Sequence, residues 1–212
     1  AMAAALTLTS LPLFPLQAVL FPGGSLALRV FEVRYLDMVS KCQQVGAPFG
    51  VVCLTHGSEV RSPGGAPTQF HSLGTLARIH ALERPQAGLI TLQVQGCERF
   101  VVLQRHLLTH GLWVADVQQL TDDSVVAIPA DLQPIAQALA QVLQRLPVPP
   151  SGSPPPTPNA QQLNDCGWVA NRWCELLPVP LELKQRLMEL DNPLVRLELV
   201  GDVLERTGIA PS

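Results

Sequence analysis

The chain has 212 residues, which leaves room for one large domain or two small ones. It carries 14 Lys+Arg and 17 Asp+Glu, a net charge of −3, and charged residues are 15% of the chain where about 25% is typical. These values exclude a polybasic nucleic-acid-binding protein and a chain kept disordered by its charge. Because 47% of the residues are hydrophobic, the chain can bury a sizeable core.

Polar residues, glycine or proline interrupt every apolar stretch before it reaches the ~20 residues of a membrane span. The apolar first twenty residues lack a basic region, and Pro12 and Pro15 break their run, which argues against a signal peptide. Five widely spaced cysteines do not form the pattern of a disulfide framework. We therefore expect a soluble, cytoplasmic protein with no membrane partner.

Residues 1–10 are expected to be a flexible N-terminus, and the region 11–124 that follows has mostly the pattern of β-strands. Apolar and polar residues alternate in short runs that turn residues separate. Pro and Gly in Phe21-Pro22-Gly23-Gly24 predict a tight turn, and Gly96 predicts a bulge or bend. The predicted strands are 11–16, 25–30, 49–54, 75–82, 90–94, 100–103 and 112–117. So many short strands favour a closed or nearly closed antiparallel barrel.

Helical periodicity occurs in two places. Between residues 32 and 45 the apolar positions follow a helix that Gly46 should end. From residue 125 to 208 the pattern is that of a helical bundle: Asp131 should cap one helix, a second carries Leu163 to Leu177 on one face, and Pro180 and Pro193 should open two more. Residues 147–158, of which seven are proline, predict an extended linker inside this region.

The sequence lacks the motifs of several kinds of enzyme and cofactor site. The sequence has no phosphate-binding GxxxxGK[ST], no GxGxxG and no GxSxG, so we expect no nucleotide cofactor. The pairs Cys53-x-x-His56 and His106-x3-His110 come nearest to metal-ligand spacing, but surface histidines and buried cysteines are the simpler interpretation.

Catalytic groups are equally hard to single out. Cys53 with His56 could form a cysteine-dependent hydrolase, although a buried strand cysteine is the more common case. The carboxylates of Glu32, Asp37 and Glu98 have no spacing that marks an acid–base pair. We therefore predict no catalytic and no metal-binding residues.

Two aromatic residues could serve binding. Phe21 and Phe70 lie in or beside Pro/Gly-rich loops, where burial is harder to achieve, and exposed apolar loop residues are typical of a peptide-binding surface. The alternative is that both belong to the core, as aromatic residues usually do.

Three segments in order carry a family resemblance: LPLFPLQAVLFPGGSLALRVFEVRYLDMV; GTLARIHALE with GLITLQVQGCERFVV; and LLPVPLELKQRLMELDNPLVRLELVGDVL. Together they resemble the amino-terminal, substrate-binding domain of the ATP-dependent protease Lon, especially its stand-alone bacterial relatives. The resemblance runs from about Leu11 to Leu204, nearly the whole chain.

The resemblance implies an α+β fold: a PUA-like antiparallel β pseudobarrel with one inserted helix, followed by a C-terminal helical bundle. In Lon-like proteins this domain contributes to recognising polypeptide substrates, and the ATPase and peptidase domains follow it. The chain stops where those domains would begin, so we expect neither ATP hydrolysis nor proteolysis. The Phe21-Pro22-Gly23-Gly24 turn and Phe31, Glu32, Arg34 and Tyr35 match family positions that either bind ligands or build the fold.

The leading hypothesis is a non-catalytic module that binds unfolded or exposed apolar polypeptide segments, with a protease or chaperone as a possible associated protein. Its candidate binding residues are Phe21, Pro22, Phe31, Arg34, Tyr35 and Phe70. The alternatives are the cysteine hydrolase and an RNA-binding PUA-like protein. The net charge of −3 opposes the RNA-binding alternative, because phosphate contacts need concentrated Lys and Arg.

Overall fold

The computed structural model describes residues 6–56, 68–148 and 157–209, and these form two compact units. The first contains the described residues up to Asp122, and the second begins at Asp123. Within the described ranges, no helix is both long and apolar enough to cross a membrane.

The described residues of the first unit form a seven-stranded sheet and one helix. The helix α1, Val33–Val45, ends as predicted at Gly46, whose φ of 68° gives the left-handed cap that glycine favours. The strands are β1 (Thr7–Leu16), β2 (Ser25–Val30), β3 (Phe49–His56), β4 (Gln69–Phe70), β5 (Leu73–Gln86), β6 (Leu89–Leu107) and β7 (Trp113–Gln119). Residues 57–67 of the predicted loop lie outside the described ranges.

The strands pair in the order β1-β7-β6-β5-β3-β4, and β1 also pairs with β3. The pairing path therefore returns to its first strand, while β2 pairs with β6 and with no other described strand. The expectation of a purely antiparallel sheet was wrong in one place, because β1 runs parallel to β3 from Leu13↔Gly50 to Leu16↔Cys53. A parallel pair joins strands that are distant in the chain, and the pattern of apolar residues within each strand does not reveal it.

The strand β1 begins earlier than its predicted start at residue 11. Thr7 and Leu8 pair with Gln118 and Val117 of β7, so residues 7–10 of the expected flexible N-terminus belong to a strand. The register shifts between Leu8 and Leu11, where the backbone N–H of Ser10 donates to a carboxylate oxygen of Asp116. Threonine and serine at positions 7, 9 and 10 hid the strand, although Leu8 packs against the core.

The turn before β2 packs closely against β6. Gly24 N–H donates to the Phe21 carbonyl, and Gly23 has a φ of 77°, as a turn with proline before glycine requires. Gly23 N–H also donates to the Gly96 carbonyl at 2.9 Å, and Gly96 N–H donates to the Gly24 carbonyl at 2.8 Å. A Cβ on Gly96 would lie 2.3 Å from the Phe21 carbonyl oxygen, so this contact requires glycine.

The second unit is helical. A 3₁₀ turn at Ala130–Leu132 precedes α2, and α4 packs against α2, α3, α5 and α6. The helices are α2 (Gln133–Arg145), α3 (Ala160–Leu163), α4 (Cys166–Leu176), α5 (Leu181–Glu189) and α6 (Pro193–Arg206). As predicted, α5 begins after Pro180 and Pro193 is the first residue of α6, where Asn192 supplies the cap. Residues 149–156 of the predicted linker lie outside the described ranges.

Two helix predictions in this unit were wrong. Asp131 lies in the 3₁₀ turn instead of capping α2, whose cap position is Leu132 without a side-chain hydrogen bond. The helix expected across 163–177 is interrupted after α3. The Asp165 side chain accepts the Gly167 N–H and caps the start of a separate helix, α4. The same residue pairs with Ala127 in an isolated bridge.

A buried arginine ties this unit together. Arg196 is 1% exposed, and its Nη1 donates to Asp123 Oδ2 at 2.7 Å and to Asn171 Oδ1 at 3.2 Å. Its Nε donates to the Leu187 carbonyl at 2.9 Å, and its Nη2 donates to the Leu190 carbonyl. One guanidinium therefore joins the first residue of the unit to α4 and to the end of α5.

Replacing this arginine should destabilise the second unit. Arg196→Met removes the guanidinium that pairs with the partly buried Asp123 carboxylate and donates to two carbonyls, and we expect it to lower the free energy of unfolding by about 3 kcal/mol. The matched control, Arg186→Met, removes an exposed pair with Glu182 and should cost less than about 0.5 kcal/mol. Urea unfolding monitored by the fluorescence of the α4 tryptophans measures both. Equal losses for the two variants would contradict the structural role of Arg196.

Candidate functional site

A groove of about 330 Å³ lies in the first unit between β2, the end of β1 and the start of α1. Its volume is at the small end of the range for ligand pockets. Most of the lining is apolar, and it consists of Phe14, Leu16, Ala18, Leu26, Ala27, Leu28, Arg29, Val30, Phe31, Glu32 and Tyr35. The groove therefore combines residues from three consecutive elements of the amino-terminal segment.

An aromatic stack forms one side of the groove. The rings of Phe14 and Tyr35 lie 4.2 Å apart and within 10° of parallel. The Arg34 guanidinium lies 4.6 Å from the centroid of the Tyr35 ring, a cation–π contact. Arg34 also donates to the Gly111 carbonyl at 2.8 Å and to Glu32 Oε2 at 3.1 Å. These contacts fix the first turn of α1 against β1 and hold the groove open in one shape.

Exposed apolar side chains stand at the start of α1. Phe31, which lines the groove, is 55% exposed, and Val33 beside it is more exposed still. The turn into the helix explains this, because Glu32 is the cap residue in extended conformation and the two residues flank it. Large exposed apolar side chains next to an apolar groove are typical of an interaction surface.

The charges at the groove are few. Among the described residues that line it, Arg29 and Glu32 are the charged ones, and cysteine, histidine, serine and threonine are absent. Glu32 forms its ion pair with Arg34, whereas Arg29 is exposed on β2 and forms no ion pair with any described residue. Such a lining can bind apolar groups and one acidic group, and it offers no thiol, imidazole or aliphatic hydroxyl group.

Three of the six predicted binding residues lie at this groove. Phe31 and Tyr35 line it, and Arg34 supports it from behind through the stack and the Gly111 carbonyl. Pro22 is partly buried in the turn that packs on Gly96 and does not line the groove.

Phe21 and Phe70 are candidate binding residues for which the sequence left exposure or burial open, and the structure buries both. Phe21 is 1% exposed, because its turn is fixed to Gly96 of β6 and brings the ring inward. Phe70 is 5% exposed, with its ring centroid 5.5 Å from that of Trp113 and the Arg105 guanidinium 4.2 Å away. Both rings therefore belong to the core, as the alternative interpretation held.

The analysis of the sequence missed the groove residues on β2. Leu26, Leu28 and Val30 alternate with Ala27 and Arg29, so the sequence predicted a strand here and no binding role. Alternation gave no signal for the groove, because it does not show which edge of a strand is left unpaired.

The geometry does not favour the cysteine hydrolase. Cys53 is buried in β3, and its Sγ lies 3.7 Å from the Leu54 carbonyl, whereas a reactive thiolate needs access to substrate. The described residues contain no group of three or more His, Cys, Asp and Glu that could hold a metal ion. His106 lies in β6 and His110 in the turn that follows it, as their setting predicted.

Thiol labelling should separate Cys97 from the other four cysteines. Cys97 is partly exposed and the others are buried. Burial raises the pKa of the Cys97 thiol above its ordinary value, so labelling should be slow at pH 7 and accelerate as the pH rises past 9. Burial raises the pKa of Cys174 to about 12. An aromatic disulfide reagent should therefore modify one thiol in the folded chain and none in Cys97→Ser. Fast labelling of Cys53 would instead support the hydrolase.

Comparisons with known proteins agree on one family. The model of the ATP-dependent protease La (LON) substrate-binding domain matches residues 10–206. The Lon protease of Anaeromyxobacter dehalogenans (strain 2CP-C) is 28% identical over 202 residues, and Lon protease 2 of Myxococcus xanthus is 27% identical over 202 residues. Each alignment covers 92% of this chain and 23% of the relative, so the chain spans about a quarter of these proteases.

Solved structures show the same similarity. A crystal structure of a Lon N-terminal domain protein from Xanthomonas campestris has 31% identity and a TM-score of 0.66, covering 96% of this chain and 100% of that one. The N-terminal domain of the Mycobacterium avium complex Lon protease, at 15% identity and a TM-score of 0.59, shares the fold over 92% of this chain and 98% of that one. The chain belongs to the family of Lon substrate-binding domains.

Proposed function

We propose that the chain is a non-catalytic module that binds exposed apolar segments of other polypeptides in the groove between β1, β2 and α1. The observation that carries this proposal is the apolar groove with the exposed Phe31 at its mouth, in a family named for substrate binding. An unfolded polypeptide presents apolar side chains that this lining can remove from water.

The proposal includes a finer description of the fold. The pairing path that returns to β1 supports a PUA-like pseudobarrel in the first unit, and the packing of α4 against its neighbours supports a helical bundle in the second. A closed ring of strands is a rigid support, and rigid elements hold a binding groove in shape.

The proposal does not extend to the activities of whole Lon proteases. The chain matches only the part of those proteins that the family model describes as substrate-binding. Its sequence lacks a phosphate-binding GxxxxGK[ST], and the described groove lining offers no thiol, imidazole or aliphatic hydroxyl group. A protease or chaperone that receives the bound polypeptide is the kind of associated protein we expect.

The proposal also includes a cytoplasmic location for the protein. None of the five cysteines, all within the described residues, forms a disulfide, which suits a reducing cytoplasm. The lining carries one basic side chain, Arg29, so a polyanion such as RNA is a poor occupant for the groove.

Replacing Phe31 should weaken the binding of unfolded protein without unfolding the module. Phe31→Ala removes the exposed aromatic side chain at the groove, and we expect about a tenfold loss of affinity, or ~1.4 kcal/mol. Stability should change by less than about 0.5 kcal/mol because the side chain is exposed. Fluorescence anisotropy with labelled, carboxymethylated lactalbumin, which cannot refold, measures the affinity.

The control variant is Leu103→Ala, which removes a large apolar side chain of similar exposure, 57%, that lies on β6 outside the groove. It should bind like the unchanged chain, and native, disulfide-bonded lactalbumin should not bind at all. Equal losses for the two variants would contradict the groove as the site. Failure of the unchanged chain to bind the unfolded probe would contradict the proposed function.

A further inference from the structure

We propose that the bound segment enters the groove in extended form and adds as a strand to the free edge of β2. The inference rests on the proposed function and specifies its binding mode and its ligand. The ligand is an extended segment with two apolar side chains at alternate positions and an acidic residue beside them.

The first support is the free edge itself. All six residues of β2 pair with β6, from Ser25↔Gln95 to Val30↔Ile90, and no other described strand pairs with β2. Within the described ranges, residues 25–30 make no backbone hydrogen bonds beyond this pairing. Because successive backbone groups of a strand point to opposite sides, the groups facing away from β6 are available to another chain.

The second support is the position of the groove along this edge. Five consecutive residues of β2, 26–30, line it. Successive side chains of a strand point to opposite faces of the sheet, so a groove on one face would meet only alternate residues. Because the groove contacts five consecutive residues of β2, it runs along the edge of this strand. Phe14 and Leu16 of β1 form its other wall, beyond Pro12, where the pairing of β1 with β7 ends.

The dimensions set the length of the segment. Six residues of β2 at ~3.3 Å each give an edge of ~20 Å, which about six residues of an extended chain would follow. A dry cavity of ~150 Å³ holds one benzene-sized group, so the groove accommodates about two apolar side chains. In a strand those two side chains belong to residues i and i+2.

The charged side chains at the groove favour an acidic residue next to the two apolar residues of the ligand. Arg29 is exposed at the groove and forms no ion pair with a described residue, whereas the carboxylate of Glu32 is already paired with Arg34. An acidic side chain of the incoming segment would complement Arg29, and a basic one would meet no free carboxylate in the lining.

A helical occupant fits these observations less well. A helix satisfies its own backbone groups and would leave the β2 edge unused, and its diameter of about 10 Å suits a broad groove. An extended segment uses both the edge and the apolar wall.

Peptides with altered backbones test the proposal on the intact chain. The parent probe is fluorescein-labelled Thr-Val-Ser-Leu-Asp-Thr. Two analogues carry N-methyl groups on alternate residues, one set on each edge of the peptide strand, so that each lacks the N–H donors of one edge. We expect at least a tenfold loss of affinity for the analogue methylated on the edge that faces β2. Binding of both analogues within twofold of the parent would overturn strand addition.

Charge reversal tests the choice of ligand. Arg29→Glu should weaken the parent peptide at least fivefold and should favour an analogue with Lys in place of Asp. The control Arg145→Glu makes the same change of charge at an exposed site on α2 and should alter neither affinity. The same response in both variants would overturn the role of Arg29.

The binding of unfolded lactalbumin and of the peptide analogues distinguishes failure of strand addition from failure of the proposed function. If carboxymethylated lactalbumin binds but N-methylation has no effect, strand addition fails and the proposed function stands. If neither the unfolded protein nor the parent peptide binds, the proposed function fails and the inference fails with it.

Discussion

The docking of one turn on one glycine positions the strand that borders the groove. Gly96 exchanges two backbone hydrogen bonds with the turn at Gly23 and Gly24, and its missing side chain lets the Phe21 carbonyl approach. Near this point one edge of β6 changes its partner: residues 90–95 pair with β2, and residues 100–107 pair with β7. The other edge pairs with β5 on both sides of Gly96. The turn therefore determines where β2 lies on the sheet and where its pairing stops.

The groove follows from that arrangement. Since β2 is fixed to β6 by one edge, its other edge faces the end of β1, and the chain then turns at Phe31 into α1. The stack of Phe14, Tyr35 and Arg34 holds the start of the helix against β1. The proposed binding surface and part of the core are thus built from the same short segment, which explains why some of its residues are buried.

Local sequence patterns predicted those strands and helix ends that depend on interactions between residues close together in the chain. The strand β2 and the left-handed cap at Gly46 were predicted from alternation and from glycine after a helical run. The parallel pairing of β1 with β3 and the burial of Phe70 depend on contacts between residues far apart in the chain, so no local pattern reveals them. Phe31 and Tyr35, two of the candidate binding residues, line the groove, whereas the sequence did not single out its β2 residues, because an unpaired strand edge has the same sequence as a paired one.

The proposed function, recognition of polypeptide segments, rests on an apolar groove beside an edge of β2 that no other described strand pairs with, in a family of substrate-binding domains. Hydrogen–deuterium exchange of the whole chain, with and without saturating carboxymethylated lactalbumin, tests it most directly. The account predicts that exchange slows across residues 25–35 and stays unchanged across the exposed β6 end at residues 103–108. Unchanged exchange at 25–35, with protection elsewhere, would contradict it.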